Sequence, residues 1–350
     1  MTSQVCNNFS TAEALWYDAP GSAVLRQETL AVAETLHDSS KDASGALVRV
    51  RTLWSGISRG TERLVSSGRV PPEEYGRMRA PFQGGDFPFP VKYGYCAVGE
   101  AVSGPPEIVG KTVFALYPHQ TCFDIPASSV AVVSPGIPPR RAALAANMET
   151  ALNAVWDSGA GPGDRIVVIG AGIVGLLIAW LCAQLPGADV TAVDPQEARA
   201  EVAHSLGVGF ALPGALEAHA GSGPAAGGAD IVFHASAKAE GLASALSLAG
   251  FEGRIVEVSW YGNGETAIPL GGAFHSRRLQ IVSSQVGSVS ASRRARWTYG
   301  RRLAKALDLL GDDRLDALIT DEFAFHDLPR VLPDYLAGPA AGLAAVVRYP

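Results

Sequence analysis

Asp164 to Asp194, DRIVVIGAGIVGLLIAWLCAQLPGADVTAVD, decides the fold. Arg165 to Ile169 is a short β-branched run of the kind buried on both faces of a parallel sheet. Gly170-Ala171-Gly172-Ile173-Val174-Gly175 follows at once, and Leu176 to Gln184 reads as a buried helix. In such a turn the first glycine allows the tight reversal and the second lets backbone approach a pyrophosphate. The third lets helix and strand pack closely, with the helix N-terminus facing the anion. A second apolar strand, Asp189 to Val193, ends in Asp194, a carboxylate placed to hydrogen-bond an adenosine ribose hydroxyl. Strand, glycines, helix, strand and acid stand in order and at the right separation, so the reading is dinucleotide binding rather than glycines that merely serve packing.

Outward from that unit, 350 residues is long for one core and comfortable for two domains. An apolar fraction of 47% with 18% charged residues is that of a well-packed soluble protein, and no apolar run has the length of a membrane span. The first residues, MTSQVCNNFSTAEAL, have neither a basic patch nor an apolar core, so no signal peptide is read and a cytoplasmic protein is expected. Cys6, Cys96, Cys122 and Cys182 form no CxxC pair, which argues against a disulfide framework and against a structural zinc lobe. A net charge of −6 gives no reason to expect nucleic acid. A Gly/Ala-rich tract near Gly221 to Gly228 is the one low-complexity stretch.

The first third reads as β-rich, with strands at Ala46–Leu53, Gly94–Val102, Lys111–Tyr117 and Ser128–Val133 between Gly and Pro punctuation. Strands ahead of an α/β unit imply a separate domain. The polar, Pro- and Gly-rich segment Ser66 to Pro90 reads either as a substrate-side element or as a solvated insertion.

A β-rich domain, a dinucleotide unit and a short return segment together resemble the medium-chain dehydrogenase/reductase superfamily over nearly the whole chain. The resemblance implies an α/β protein with a GroES-like β-rich catalytic domain (1–147 and 289–350) and a Rossmann doubly wound domain (148–288) that binds NAD(H). Gly56-Ile57-Ser58-Arg59-Gly60-Thr61-Glu62 stands where zinc alcohol dehydrogenases have a Gly-x-Cys-x-x-Asp type segment. Lys92-Tyr93-Gly94-Tyr95-Cys96-Ala97-Val98-Gly99 stands where they have Gly-His-Glu, and Ala145-Ala146-Asn147-Met148-Glu149-Thr150 where they place a third ligand before a nicotinamide-contacting Thr. The three ligand positions are therefore Ser58, Tyr95 and Ala146, and no four-cysteine lobe follows Gly99. The segments look most like a zinc-lacking branch that includes bacteriochlorophyllide-type and bi-domain oxidoreductases.

Catalytic zinc needs about three ligands from Cys, His and carboxylate with one position open. Serine, tyrosine and alanine do not supply them, and Cys96 with Glu149 is a poor substitute lacking a histidine. The expectation is no metal. Something else must then stabilise and protonate the substrate oxygen. Tyr95 replaces a ligand and is expected to point at the reacting centre, with its phenol needing a lowered pKa to relay protons. His119 follows the Lys111–Tyr117 strand in a Tyr-Pro-His turn and suits general acid/base work, or simply bonds backbone. Ser58 and Thr61 complete a hydroxyl chain, and Glu149 orients it or serves as base.

In the nucleotide domain, Glu197 to Leu206 reads as a helix carrying Arg199, which by resemblance reaches the same ribose as Asp194. Strands Asp230–Ser236 and Gly253–Val258, the latter ending in Ser259-Trp260-Tyr261-Gly262, and a helix Gly241–Ala249 continue the unit. By the rule that ligands sit beyond the carboxyl ends of parallel strands, Ser236, Ser259 and Trp260 line the cofactor crevice; the family resemblance implies that Thr150 and Ser284 stand at the nicotinamide end. His234 reads as a satisfied strand-end histidine; Trp260 and Tyr261 are pocket walls or a buried aromatic pair. The strand Gln280–Ser284 is one the family uses at a dimer interface, which implies a homodimer. Ser292 to Leu310 reads as an amphipathic helix whose Arg293, Arg294, Arg296, Arg301, Arg302 and Lys305 face water or hold an anionic substrate. The expected function is zinc-independent hydride transfer between NAD(H) and a carbonyl or alcohol of a small molecule. An enoyl or quinone reductase and a non-catalytic NAD(H)-binding protein stand as alternatives.

Overall fold

The computed structural model describes residues 11–30, 46–216, 227–338 and 342–350; Cys6 and most of the Gly/Ala-rich tract lie outside the described residues. The chain forms two compact units, Met1–Ala146 with Leu303–Pro350, and Asn147–Arg302. The first crossing lies within the helix Ala145–Ser158. The second falls at Leu303, beyond the 289 read from sequence, because the intervening segment is tied into the nucleotide unit. Ser290 N donates to Asn153 Oδ1 at 3.1 Å, Trp297 packs on Trp156 at 4.7 Å, and Arg302 pairs with Glu149.

In the unit Asn147–Arg302 a six-stranded parallel sheet runs in the order Gly209–Ala211, Asp189–Val193, Arg165–Ile169, Ala229–His234, Ala249–Glu257, Gln280–Ser283. The order reverses direction between Arg165–Ile169 and Ala229–His234, the switch point at which a ligand has access to both strand ends. Both faces are covered, which is why these strands are apolar without alternation. On one face Val167, Val193, Val232 and Ile255 pack with Leu242, Ala245 and Leu246 of the helix Ala239–Leu248. The helix Ile173–Ala183 buries every residue from Gly175 to Trp180.

In the unit Met1–Ala146 with Leu303–Pro350, one sheet is built around the strand Leu47–Ile57, which pairs antiparallel with Ala97–Ser103, Cys122–Pro126 and Ala344–Arg348. Its core gathers Val48, Val50, Val113, Phe123 and Ile125. A second sheet of four strands starts with a hairpin, Thr11–Ala19 and Ser22–Thr29, that the sequence reading passed over. Gly21 in its turn has φ +68°, a conformation that favours glycine. The helix expected over Ser292–Leu310 is confined to Tyr299–Leu309. Arg293 and Arg294 instead close turns onto Ser290 O, and packing of Trp297 on Trp156 overrides local helix preference there. The segment Ser66–Pro90 folds back on itself: the Arg79 guanidinium holds Asp86 at 2.7 Å and Gln83 O at 3.1 Å.

Candidate functional site

The glycine turn has the three roles distributed as its spacing implies. Gly170 has φ +102°, and a Cβ there would lie 2.9 Å from Ala235 C and Ser236 N, so only glycine passes. A Cβ on Gly175 would overlap Gly170 O, while a Cβ on Gly172 would meet nothing within 4 Å. Gly172 caps the helix, and the first helical residues, Ile173 and Val174, are half-buried. An open backbone face at a helix N-terminus is the arrangement that receives a pyrophosphate. Asp194 is fixed against this turn, its Oδ2 accepting from Ala171 N at 2.9 Å and its Oδ1 from Gln196 N at 2.9 Å. Each oxygen keeps acceptor capacity. Arg199 is buried and donates to Gln196 Oε1 at 3.3 Å, two residues beyond Asp194. These residues fit a dinucleotide.

The strand ends beyond this turn carry a second set of predicted residues. Ser236 Oγ lies 2.7 Å from His234 Nε2, and Ser259 Oγ accepts from Ala237 N at 3.0 Å. Trp260 is half-buried, and Tyr261 Oη donates to Glu257 Oε2 at 3.2 Å. Ser284 Oγ is turned onto Asp157 Oδ2 at 2.7 Å, and Thr150 is half-buried on the helix Ala145–Ser158. Glu149 is placed differently from its expected role as base. Its carboxylate is buried and held at 3.0 Å by Arg302, which also donates to Asn153 Oδ1 at 2.6 Å and to the carbonyls of Val286 and Ser288. Burial pushes the Glu149 carboxyl above its ordinary value although Arg302 pulls the other way. Arg302 therefore neither faces water nor stands ready for a substrate. Arg293 lies over Trp156 and Arg301 over Trp297, at 5.7 Å and 4.0 Å from the ring centroids.

The other unit brings Ser58, Thr61, Tyr95 and His119 together. Gly56-Ile57 ends a strand and Arg59–Ser66 begins a helix, so Ser58 sits at the junction. The Tyr95 hydroxyl donates to Ser58 Oγ and also hydrogen-bonds the Thr61 side chain. Burial raises the Tyr95 phenol well above its ordinary value, opposite to the lowering that proton relay requires. Tyr95 is a neutral hydrogen-bonding group. His119 is 1% exposed, with Nδ1 2.7 Å from Ser55 Oγ and Nε2 3.2 Å from Glu62 Oε2, so it does not exchange protons directly with solvent. A Cβ on Gly94, whose φ is +120°, would lie 2.9 Å from the His119 ring.

Glu62 is the residue that sequence reasoning missed. Its carboxylate is 0% exposed and accepts from Tyr17 Oη at 2.9 Å and from the Ser58 amide at 2.8 Å, besides facing His119. Tyr349 extends the network through Ser55 Oγ at 3.0 Å. The signal for Glu62 was its place in the Gly-Thr-Glu segment; Tyr17, Ser55 and Tyr349 lie too far away in sequence to be paired with it by pattern. At the three ligand positions, Ser58 and Tyr95 are bonded to each other and Ala146 offers no donor. Among the described residues, no group of three or more His, Cys, Asp or Glu side chains is placed to hold a metal, so the residues present do not fit a catalytic zinc.

In comparison with known proteins, residues 174–305 match the zinc-binding dehydrogenase family. The 2-dehydro-3-deoxy-L-galactonate 5-dehydrogenase of Pseudoalteromonas atlantica is 29% identical over 170 residues, 48% of this chain and 49% of that protein. The chain spans about half the length of the curated relatives it matches. A Sinorhizobium meliloti 1021 protein solved with NADP superposes with a TM-score of 0.74 at 18% identity, covering 97% of this chain and 100% of that one. A short chain alcohol dehydrogenase of Escherichia coli CFT073 solved with NADH superposes with a TM-score of 0.72 at 15% identity, covering 97% and 100%.

Proposed function

We propose that the chain belongs to the medium-chain dehydrogenase/reductase superfamily and is an oxidoreductase that moves a hydride between NAD(H) and a carbonyl or alcohol of a small molecule without zinc. The observation that carries the reading is the glycine turn with Asp194 locked to it through Ala171 N. Ala171 N holds the carboxylate where a 2′-phosphate would meet a like charge, which favours NAD(H) over NADP(H). Bound nicotinamide supplies the hydride chemistry. The chain supplies orientation and hydrogen bonds to the oxygen that gains charge.

Tyr95 is the group that donates to that oxygen. Its phenol stays protonated at neutral pH, and its hydroxyl rotates between Ser58 Oγ and an incoming oxygen at small cost. A neutral donor held near developing charge stabilises it once its hydroxyl has turned from Ser58 to the substrate oxygen. Ser58 links this donor to the buried pair behind it, its hydroxyl accepting from Tyr95 and its amide donating to Glu62. Glu62 and His119 are thus positioning residues. Protons lost or gained by the substrate oxygen are delivered by water, since both members of that pair are buried.

The test is a fluorescence titration with NADH and NADPH, followed by turnover assays on ketones, alcohols and enones before and after exposure to a chelator. Tighter NADH binding with chelator-resistant turnover of a ketone or alcohol is the expected result. Turnover confined to enones would move the reading to an enoyl or quinone reductase. Binding without turnover would make the chain a cofactor-binding protein, and chelator-sensitive activity with about one zinc per chain would overturn the ligand-by-ligand argument.

A further inference from the structure

His234 ends the strand Ala229–His234 with its ring fully buried and both nitrogens engaged. Nδ1 lies 2.7 Å from Glu257 Oε2 and Nε2 lies 2.7 Å from Ser236 Oγ. Glu257 is surrounded by donors: its Oε1 accepts from Ser259 N at 2.8 Å and its Oε2 also accepts from the Tyr261 hydroxyl at 3.2 Å. Burial works against its ionisation, but the His234 and Ser259 hydrogen bonds outweigh it and hold the carboxyl below its ordinary value. An ionised acceptor at Nδ1 keeps a proton on Nδ1, so Nε2 is the nitrogen that gains or loses one.

That leaves Nε2 in control of Ser236. When the ring is neutral, Ser236 must give its hydroxyl hydrogen to Nε2 and presents only lone pairs outward. When the ring is charged, Nε2–H donates to Ser236 Oγ and the hydroxyl hydrogen is released to a ligand. Ser236 is half-buried and packs under the glycine turn: a Cβ on Gly170 would lie 2.9 Å from Ser236 N and 3.0 Å from Ser236 Cα. Ala235 N donates to Ile169 O at 2.8 Å, which holds this strand end beside the turn. Across the pair, a Cβ on Gly241 would lie 2.8 Å from His234 Nε2 and overlap Ser236 Oγ, so glycine at the start of the helix Ala239–Leu248 makes room for the hydrogen bond.

We propose that His234 is a positioning residue of the dinucleotide site, whose protonation turns the Ser236 hydroxyl from acceptor to donor beside the glycine turn and tightens binding of the anionic cofactor. The proposal rests on the dinucleotide-binding reading above. Among the described residues, the ionisable groups that hydrogen-bond the ring are Glu257 and Tyr261, and Ser259 Oγ lies 3.5 Å from Nδ1. The register partner on the adjoining strand is the apolar Ile169. The Tyr261 phenol, pushed up to about 12 by burial and by Glu257, stays neutral around neutral pH. Charge and donor count both change in favour of an anion as the pH falls, so the two effects act together.

The experiment is NADH titration by fluorescence on the full chain from about pH 5.5 to 8.5, the range in which an imidazole changes charge. It is run on the wild type, His234→Asn and Ser236→Ala, with thermal midpoints recorded for each. The wild-type Kd is expected to fall about three- to tenfold toward acid, the worth of one hydrogen bond to a charged ligand. His234→Asn, which keeps a donor toward Glu257 but does not titrate, is expected to be flat, and Ser236→Ala to lose at least half of the dependence. If His234→Asn does not fold, Ser236→Ala carries the test. A flat or inverted wild-type profile, or a full dependence retained in Ser236→Ala, overturns this proposal alone. Absence of NADH binding by the wild type at every pH overturns the functional reading and this proposal with it.

Discussion

Replacing Arg302 by Met should destabilise the nucleotide unit severely, and by an amount that depends on pH. Arg302 is 2% exposed and holds Glu149 at 3.0 Å, Asn153 Oδ1 at 2.6 Å and Val286 O at 2.6 Å. Methionine fills much of the volume but leaves a buried carboxylate without its cation. Breaking one side of such a pair costs about 3–5 kcal/mol. For a unit of this size that corresponds to a fall in Tm on the order of 10 °C. The sign of the pH dependence follows from Glu149. Its folded-state carboxyl already lies above the ordinary value because of burial, with Arg302 opposing, and removing Arg302 raises it further. A carboxyl raised in the folded state favours folding most below the unfolded value, and that contribution is lost as pH rises through the folded value. The deficit of Arg302→Met relative to wild type should therefore be largest at pH 7–8 and shrink toward pH 5. Urea unfolding followed by tryptophan fluorescence reads it directly, since Trp297, in the segment that Arg302 ties down, packs at a tilt on Trp156 of the helix Ala145–Ser158. Adding Glu149→Gln to the variant should recover part of the loss at neutral pH. A deficit under about 1 kcal/mol, or one that does not change with pH, would show that the pair is not what holds residues 286–302 in this unit.

Two further outcomes bear on the proposed site. Asp194→Ala should narrow the preference for NADH over NADPH by about tenfold, each 1.4 kcal/mol of like-charge penalty being a factor of ten; an unchanged ratio in paired fluorescence titrations would remove Asp194 from cofactor choice. Tyr95→Phe should lower kcat/KM on the order of a hundredfold with the NADH Kd unchanged, and activity within a few-fold of wild type would refute Tyr95 as the oxyanion donor.

The parts of this structure that were legible in the sequence are those whose cause is local. The strands Arg165–Ile169 and Asp189–Val193 match their apolar runs residue for residue, because a buried parallel strand must be apolar on both faces. The glycine turn was legible for the same reason: the conformation at Gly170 and the contact at Gly175 are demands on the residues themselves. The opening hairpin had its signals as well, alternation in Thr11–Ala19 and a Pro-Gly turn, and passing over it hid Tyr17. What local pattern does not carry is a partner chosen across the fold. The Arg-rich stretch looks the same from sequence whether its cations face water or, like Arg302, are buried against Glu149. Periodicity also put the start of that helix at Ser292 rather than Tyr299, since nothing nearby in sequence announces Trp156.

The same distinction explains the candidate catalytic centre. Reading the ligand positions from sequence says what is missing, and only the fold says what takes its place. Ser58 and Tyr95 satisfy each other, and behind them Glu62 is a fully buried carboxylate. A buried carboxylate must be compensated by a cation, by donors, or by taking up a proton. Among the described residues the hydrogen-bond partners of Glu62 are Tyr17, the Ser58 amide and His119, so His119 is the one of these that can bear positive charge. Glu62 and His119 are in hydrogen-bond contact in a water-poor interior, and the Glu62 carboxylate fixes the Ser58 amide, beside the hydroxyl that accepts from Tyr95.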